Sequence, residues 1–348
     1  MSQALKPGLF GLANSNRNFT QEKYWGKNQF NSSFPASLCC YLASKDLSAV
    51  YIKLAQSEIV RGEITVDKIF GASGTDPEIF FSFEFPYSPF QKYIDGRMPS
   101  TDLVILKKDQ ALSGLEIKLT ALPDSTTHAL ADSEYGSELV VRPDSIAYLA
   151  CSLAESLALS SLPDVGIANR DYPDARKVLP KINQIIDAVR GIGKSAEEKQ
   201  SPFLLQPIWK TIGKTPVLAE NCLDVFVWSN AAFVEFICSL ADPNQSANSI
   251  NRPTRAVVWL YKMLLDIKIK KRFDHEFIFD KITFNTKNDK AFACSGAQSN
   301  KYMKCDRLEK PVILKSEIKK IILGGGQNML SPERRFDAII SNSTGLFE

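Results

Sequence analysis

An α/β fold is predicted for this 348-residue chain: a mixed, mostly antiparallel sheet flanked by helices, with further helices towards the C-terminal end. Three observations predict it. Short segments that alternate apolar and polar residues crowd the stretch from 48 to 120, as strands do. After residue 143 the apolar period lengthens to that of helices. Between 216 and 241 a continuous apolar run leads into a helical pattern, as when a buried strand feeds a helix. A hydrophobic content of 44% sustains a sizeable core. Residues 1–145 read as an N-terminal arm and a core sheet, and 146–348 as helices and a strand completing that core, the two parts of one continuous domain.

The elements follow in order. The first 32 residues are polar and aromatic with little periodicity. "SFPASLCCYLASKDL" (33–47) reads as a helix, with Ser33 as its cap, Pro35 in the first turn and apolar residues at 34, 38, 41 and 42. "SAVYIKL" (48–54) reads as a strand and "GEITVDKIFG" (62–71) as a weaker one. "EIFFSFEF" (78–85), "TDLVIL" (101–106) and "GLEIKLT" (114–120) are further strands, the last two joined by the polar "KKDQALS". "PDSIAYLACSLAESLALSS" reads as a helix capped by Asp144, and helices are expected in the later part of 178–193 and over 251–267. "EFIFDKITF" (276–284) is a strand candidate, and 287–310 a polar, basic loop region. There is no internal repeat.

Composition narrows the chemistry. The net charge of +3 permits nucleic-acid binding without announcing it. Seven cysteines (39, 40, 151, 222, 238, 294 and 305) include no Cys-x-x-Cys unit, against a zinc knuckle or a thioredoxin-type motif. There is no apolar h-region in the first residues and no run long enough to span a bilayer, so a cytoplasmic, reduced protein with no membrane association is expected. The two histidines, His128 and His275, lack any metal-ligand or nucleophile-elbow setting. No phosphate loop or dinucleotide fingerprint occurs, and "LGGGQ" (323–327) reads as a helix stop. If the chain is an enzyme, carboxylates and lysine carry its chemistry.

Four acid-x-Lys triplets are present: Glu116/Lys118, Glu197/Lys199, Asp266/Lys268 and Glu317/Lys319. Glu197 sits in a charged loop, Glu317 on a helical pattern ended by Gly324, and Asp266 at the close of a helix. Only Glu116 lies on a strand that follows a strand beginning with an acid, Asp102. A turn centred on residue 110 puts Asp102 opposite Lys118 and diagonal to Glu116, within reach of one bound ion. Two carboxylates, a main-chain carbonyl and waters make a hard oxygen site suited to magnesium. Such an ion polarises a phosphoryl oxygen, and Lys118 would orient the attacking water. A solvent-facing ion pair on an edge hairpin explains the same pattern.

"STDLVIL" and "EIKLTALPD", with "GLFGLANSNRNF" and "WGKNQFNSSFP" near the start, resemble the HindVP family of type II restriction endonucleases. The similarity runs through the N-terminal half and more thinly to the end. It implies the restriction-endonuclease-like PD-(D/E)xK fold and magnesium-dependent cleavage of double-stranded DNA, with manganese as a substitute. A companion DNA methyltransferase acting on the same site is implied too, as is a short GC-containing palindrome of the GRCGYC kind. Asp102, Glu116 and Lys118 fall on the superfamily motif, although Thr101 replaces the usual proline before Asp102. Glu84, then Glu58, are candidates for an additional acid, and Asp124 for a turn cap.

A palindrome invites a homodimer. Candidate DNA contacts are Asn16, Arg17, Lys27, Asn28 and Gln29 near Trp25, Arg252 and Arg255 at a helix start, and Arg334 and Arg335. Each of these segments also reads as an ordinary solvated turn. Two other functions fit the same core: a structure-selective repair or junction nuclease, and a non-catalytic DNA-binding protein. The intact acid-lysine set argues against the latter.

Overall fold

A computed structural model describes residues 15, 27–118, 139–206, 209–212, 215–218, 225–246, 250–284 and 292–294. In its first part the elements run α1 (Lys27–Ser44), β1 (Ser48–Ala55), β2 (Glu58–Thr65), α2 (Val66–Phe70), β3 (Ile79–Phe85), β4 (Thr101–Lys107) and β5 (Gln110–Ile117). There follow β6 (Leu139–Val141), α3 (Pro143–Ser156), α4 (Ala175–Val178), α5 (Ile182–Ser195), β7 (Pro202–Gln206), β8 (Trp209–Ile212) and β9 (Thr215–Leu218). The last are β10 (Phe226–Ser229), α6 (Asn230–Leu240), α7 (Arg252–Lys270), α8 (His275–Lys281) and β11 (Phe292–Cys294).

Seven strands form one mixed sheet in the order β2-β1-β10-β7-β5-β4-β3. The β1–β10 and β5–β7 pairs are parallel and the others antiparallel. The hairpins β1-β2 and β3-β4-β5 are therefore not neighbours. Two strands from the second half of the chain, β7 and β10, lie between them and close the sheet. Each face carries its own core. Val50, Ile52 and Leu54 of β1 and Phe226 and Trp228 of β10 pack with α3, α5, α6 and α7 on one face. Ala49, Tyr51, Val227, Leu205, Leu115, Ile117, Leu103 and Ile105 pack with α1 and α2 on the other. Odd and even residues of one strand thus enter different cores, the period-two rule with both faces buried.

Helix α7 is enclosed around nearly its whole circumference, from Thr254 to Ile267. It begins where the Asn251 side chain accepts the Thr254 N–H at 2.9 Å. Helix α5 approaches α6 closely at Gly193, where an added Cβ would come within 2.8 Å of Val234. A larger residue there must push the helices apart. Cys39, Cys40, Cys151 and Cys238 are free and buried. Burial raises all four thiols, Cys40 to about 12, so these are packing residues and not nucleophiles.

Several expectations need correction. Helix α1 starts at Lys27, so both Ser33 and Pro35 lie inside it. The weaker strand expected over 62–71 is the end of β2 followed by α2, which Gly71 stops at φ +70°. "EFIFDKITF" is not a strand. Asp274 accepts the Phe277 N–H at 2.8 Å and caps α8, burying His275, Ile278 and Phe279 at helical spacing. Asp144 is not a cap, because Arg142 occupies that position with Pro143 as the first helical residue. Phe292–Cys294, within the expected loop, pairs with β6. Asp124, His128, "LGGGQ" and the Glu317/Lys319 pair lie outside the described residues.

Candidate active site

Leu115 and Ile117 face the α1/α2 core, which turns Glu116 and Lys118 towards the helical layer. That face is not solvent: Glu116 is 4% exposed and Lys118 8%. The β5–β7–β10–β1 register aligns Glu116 with Leu204, Trp228 and Ile52. One carboxylate thus ends a row of buried apolar side chains. An edge-hairpin surface ion pair is excluded by this burial. Continuing the register sets Gln206, itself fully buried, level with Lys118.

The hairpin is tighter than its sequence suggested. Lys108 and Asp109 form a two-residue turn, both with positive φ (49° and 65°), the twist that favours hairpins. The register shifts between Ile105 and Leu106, and beyond that bulge Leu103 pairs with Leu115. Asp102 therefore comes level with Glu116, not opposite Lys118 as expected from a turn at 110. The shift sets the two carboxylates against each other on one face.

Hydrogen bonds fix both acids. Glu116 Oε2 accepts from Lys118 Nζ at 2.7 Å and from Ser145 Oγ at 3.0 Å. Its Oε1 accepts from Thr101 Oγ1 at 3.0 Å, and the same hydroxyl reaches the Leu115 carbonyl at 3.1 Å. Asp102 Oδ2 accepts the Ile117 N–H at 2.8 Å and lies 3.6 Å from Lys118 Nζ. Asp102 Oδ1 has no partner among the described residues. The Asp102 side chain is 34% exposed, which makes it the open edge of the cluster.

Electrostatics follow from this packing. Burial raises the Asp102 carboxyl to about 6; Lys118 opposes that rise and Glu116 adds to it. For Lys118 burial favours the neutral amine, but Glu116 and Asp102 outweigh it and hold its pKa above the ordinary value. Lys118 is thus a firm cation here. Asp144, on the first turn of α3, is raised by loss of hydration and then by the charge of Glu116. Two carboxylates against one lysine leave a negative surplus beside an unpartnered carboxylate oxygen. All the donors are oxygens, which fits a small hard divalent ion. Among the described residues no three His, Cys, Asp or Glu side chains group as metal ligands, so main chain and water would complete the shell.

The surroundings hold the two strands in place. Tyr148 of α3 donates to the Pro99 carbonyl at 2.9 Å and accepts the Tyr87 N–H at 2.9 Å. This ties both segments leading into the site to one helix. The Tyr87 ring lies flat against Gly114, where a Cβ would come within 2.9 Å of it. That contact explains the glycine within β5, two residues before Glu116.

The other predicted residues fare differently. Glu84 is exposed on β3 with φ +52°. The flanking pairs Phe83–Leu103 and Phe85–Thr101 set it level with Asp102, yet it does not join the two carboxylates as a third ligand. Glu58 lies on β2, the opposite edge of the sheet, and is too remote to be the additional acid. Arg255 is corrected as a DNA contact: it is 1% exposed, stacks 4.7 Å from the Trp259 ring and donates to the Thr283 carbonyl at 3.3 Å. Arg252 is half-buried at the start of α7. Lys27, Asn28 and Gln29 begin α1, but their side chains lie outside the described residues, as do Asn16, Arg17, Arg334 and Arg335. Sequence reasoning noted Thr101 only as a departure from proline and missed its contact with Glu116, and it missed Ser145 and the exposed Arg142, whose charge acts on both Asp102 and Lys118. Only proximity in the fold reveals them.

The family model described as HindVP restriction endonuclease matches residues 25–347. "Probable type II restriction enzyme HindVP" of Haemophilus influenzae is 49% identical over 347 residues, covering 99% of this chain and 96% of that protein. "Type II restriction enzyme HgiDI" of Herpetosiphon aurantiacus is 45% identical over 354 residues, covering 99% of this chain and 98% of that protein. No solved structure matches the chain. No described helix is long and apolar enough to cross a membrane.

Proposed function

The chain belongs to the HindVP restriction endonuclease family, and on that premise we propose that it is a type II site-specific deoxyribonuclease. It hydrolyses phosphodiester bonds of double-stranded DNA, using magnesium held by Asp102 and Glu116. The observation that carries this reading is the buried, anion-rich cluster on β4 and β5, with Asp102 at its open edge.

A bound divalent ion would supply polarisation of the phosphoryl oxygen and easier ionisation of water. Asp102 and Glu116 would hold the ion, while Glu116 stays paired with Lys118. Because Lys118 stays protonated beside two acids, it orients the attacking water and offsets charge developing at phosphorus. Arg142 is exposed and its charge acts on Asp102 and Lys118, which suits it to meet a DNA phosphate.

The family resemblance extends the proposal. The enzyme acts as a homodimer in the cytoplasm on a short GC-containing palindrome, GRCGYC-like, which a companion methyltransferase protects. Digestion of plasmid DNA by purified protein tests this. Discrete bands with magnesium or manganese, none with EDTA and none with calcium are expected. Calcium accepts looser coordination at longer distances and should tighten duplex binding without turnover. Cutting in EDTA would place the chemistry elsewhere; nicking of junctions alone would favour a structure-selective nuclease, and no cutting a non-catalytic DNA-binding protein.

A further inference from the structure

We infer that Thr101 and Ser145 are positioning residues that aim the Glu116 carboxylate at the divalent ion; this rests on the metal-dependent reading above. Each hydroxyl engages a different oxygen of Glu116: Thr101 Oγ1 holds Oε1 and Ser145 Oγ holds Oε2, both at 3.0 Å. With Lys118 on Oε2, the carboxylate is gripped from three directions and cannot rotate.

The origin of the grip is informative. Thr101 belongs to β4, Ser145 to α3 and Lys118 to the end of β5, so three elements converge on one side chain. Thr101 is 1% exposed and Ser145 fully buried. A hydroxyl buried that deeply costs stability unless it is hydrogen-bonded, and Ser145 finds its acceptor in Glu116. The one Thr101 hydroxyl proton is shared between Glu116 Oε1 and the Leu115 carbonyl, which sets the hydroxyl between the carboxylate and the backbone of its own strand. Where the superfamily motif carries proline, a residue with no side-chain donor, this chain carries a hydroxyl aimed at the acid. Outer groups of this kind fix the direction of a ligand's lone pairs and tune its affinity for the ion.

Binding of manganese to the DNA-free protein, followed by paramagnetic resonance of the free ion, tests the assignment without relying on cleavage. Thr101→Val keeps the shape and removes the hydroxyl, Ser145→Ala does the same on α3, and Thr101→Ser returns the donor. Ser156→Ala, whose hydroxyl bonds the Ser152 and Leu153 carbonyls of its own helix, controls for loss of a serine from α3. Manganese affinity should fall about 10- to 100-fold in Thr101→Val and in Ser145→Ala. It should return in Thr101→Ser and stay unchanged in Ser156→Ala, with urea midpoints showing each variant folded. Wild-type affinity in both hydroxyl-less variants overturns the inference, as does a Thr101→Ser protein as weak as Thr101→Val. A wild type that binds no manganese and cuts no DNA would instead overturn the underlying reading.

Discussion

Among the described residues, acid-lysine clusters stand both on β4 and β5 and on α7, and they differ in which charge is in surplus. On β4 and β5, Asp102 and Glu116 outnumber Lys118, and one oxygen of Asp102 remains open. On α7, Asp266 is outnumbered by Lys262 and Lys270, which engage its two oxygens, Lys270 at 3.1 Å. The second cluster comes from one helix at i, i+4 spacing and packs Lys262 5.3 Å from the Tyr172 ring. Burial lowers the Lys262 pKa against the pull of Asp266, the reverse of the outcome at Lys118. An acid beside a lysine in a protein interior is therefore no site by itself. A surplus of acid, a carboxylate oxygen left open and ligands drawn from several elements make the difference.

The largest effect that would sharpen the contrast is on chemistry. Glu116→Gln keeps the shape of the side chain and leaves Lys118 its second acid, so the protein should stay folded while cleavage drops by about 10²-fold or more. Plasmid cleavage rates beside urea denaturation curves check both halves. Asp266→Ala should do the opposite. It strands Lys262 without its partner at a cost of about 3–5 kcal/mol, visible as a lower urea midpoint, while the divalent-ion requirement of the folded fraction stays the same. If Asp266→Ala abolished cleavage in fully folded protein, the division between the clusters would fail.

Acidity gives a smaller effect that separates the same regions. Asp102 is raised from 3.8 to about 6. Between those values the folded protein binds more protons than the unfolded chain, so metal-free stability falls as pH rises through that window. The ion must displace that proton, so divalent affinity should be flat above about pH 6 and fall roughly tenfold per unit below it. Calorimetric calcium binding at pH 7.5 and pH 5 measures this directly. Equal affinity at both would remove Asp102 from the ligand set.

The acid-lysine strand was legible because its pattern is local: an alternating segment with Glu116 and Lys118 on one parity, preceded by a strand opened by Asp102. Its register was not, since a bulge between Ile105 and Leu106 leaves no mark in composition. Strand β7 escaped for a different reason. "PFLLQ" is buried on both faces between β10 and β5, so it shows no alternation and sits beside a charged loop. Helix α8 was misread because Phe277 and Phe279 mimic a strand period, whereas the Asp274 cap decides for a helix. Arg255 looked like a DNA contact because an arginine near a helix start is usually exposed, and nothing local foretold that α7 would be enclosed. Ser145 could not be foreseen at all, since its contact with Glu116 exists only once α3 packs beside the β4–β5 hairpin.

The central claim is that Lys118 works on the reaction and not on duplex binding. Single-turnover cleavage of plasmid DNA by Lys118→Ala in magnesium, with duplex binding measured in calcium on the same preparation, tests it most directly. The account predicts a rate lowered by about 10²- to 10³-fold with duplex affinity retained. Cleavage by that variant at a rate comparable to wild type would contradict it.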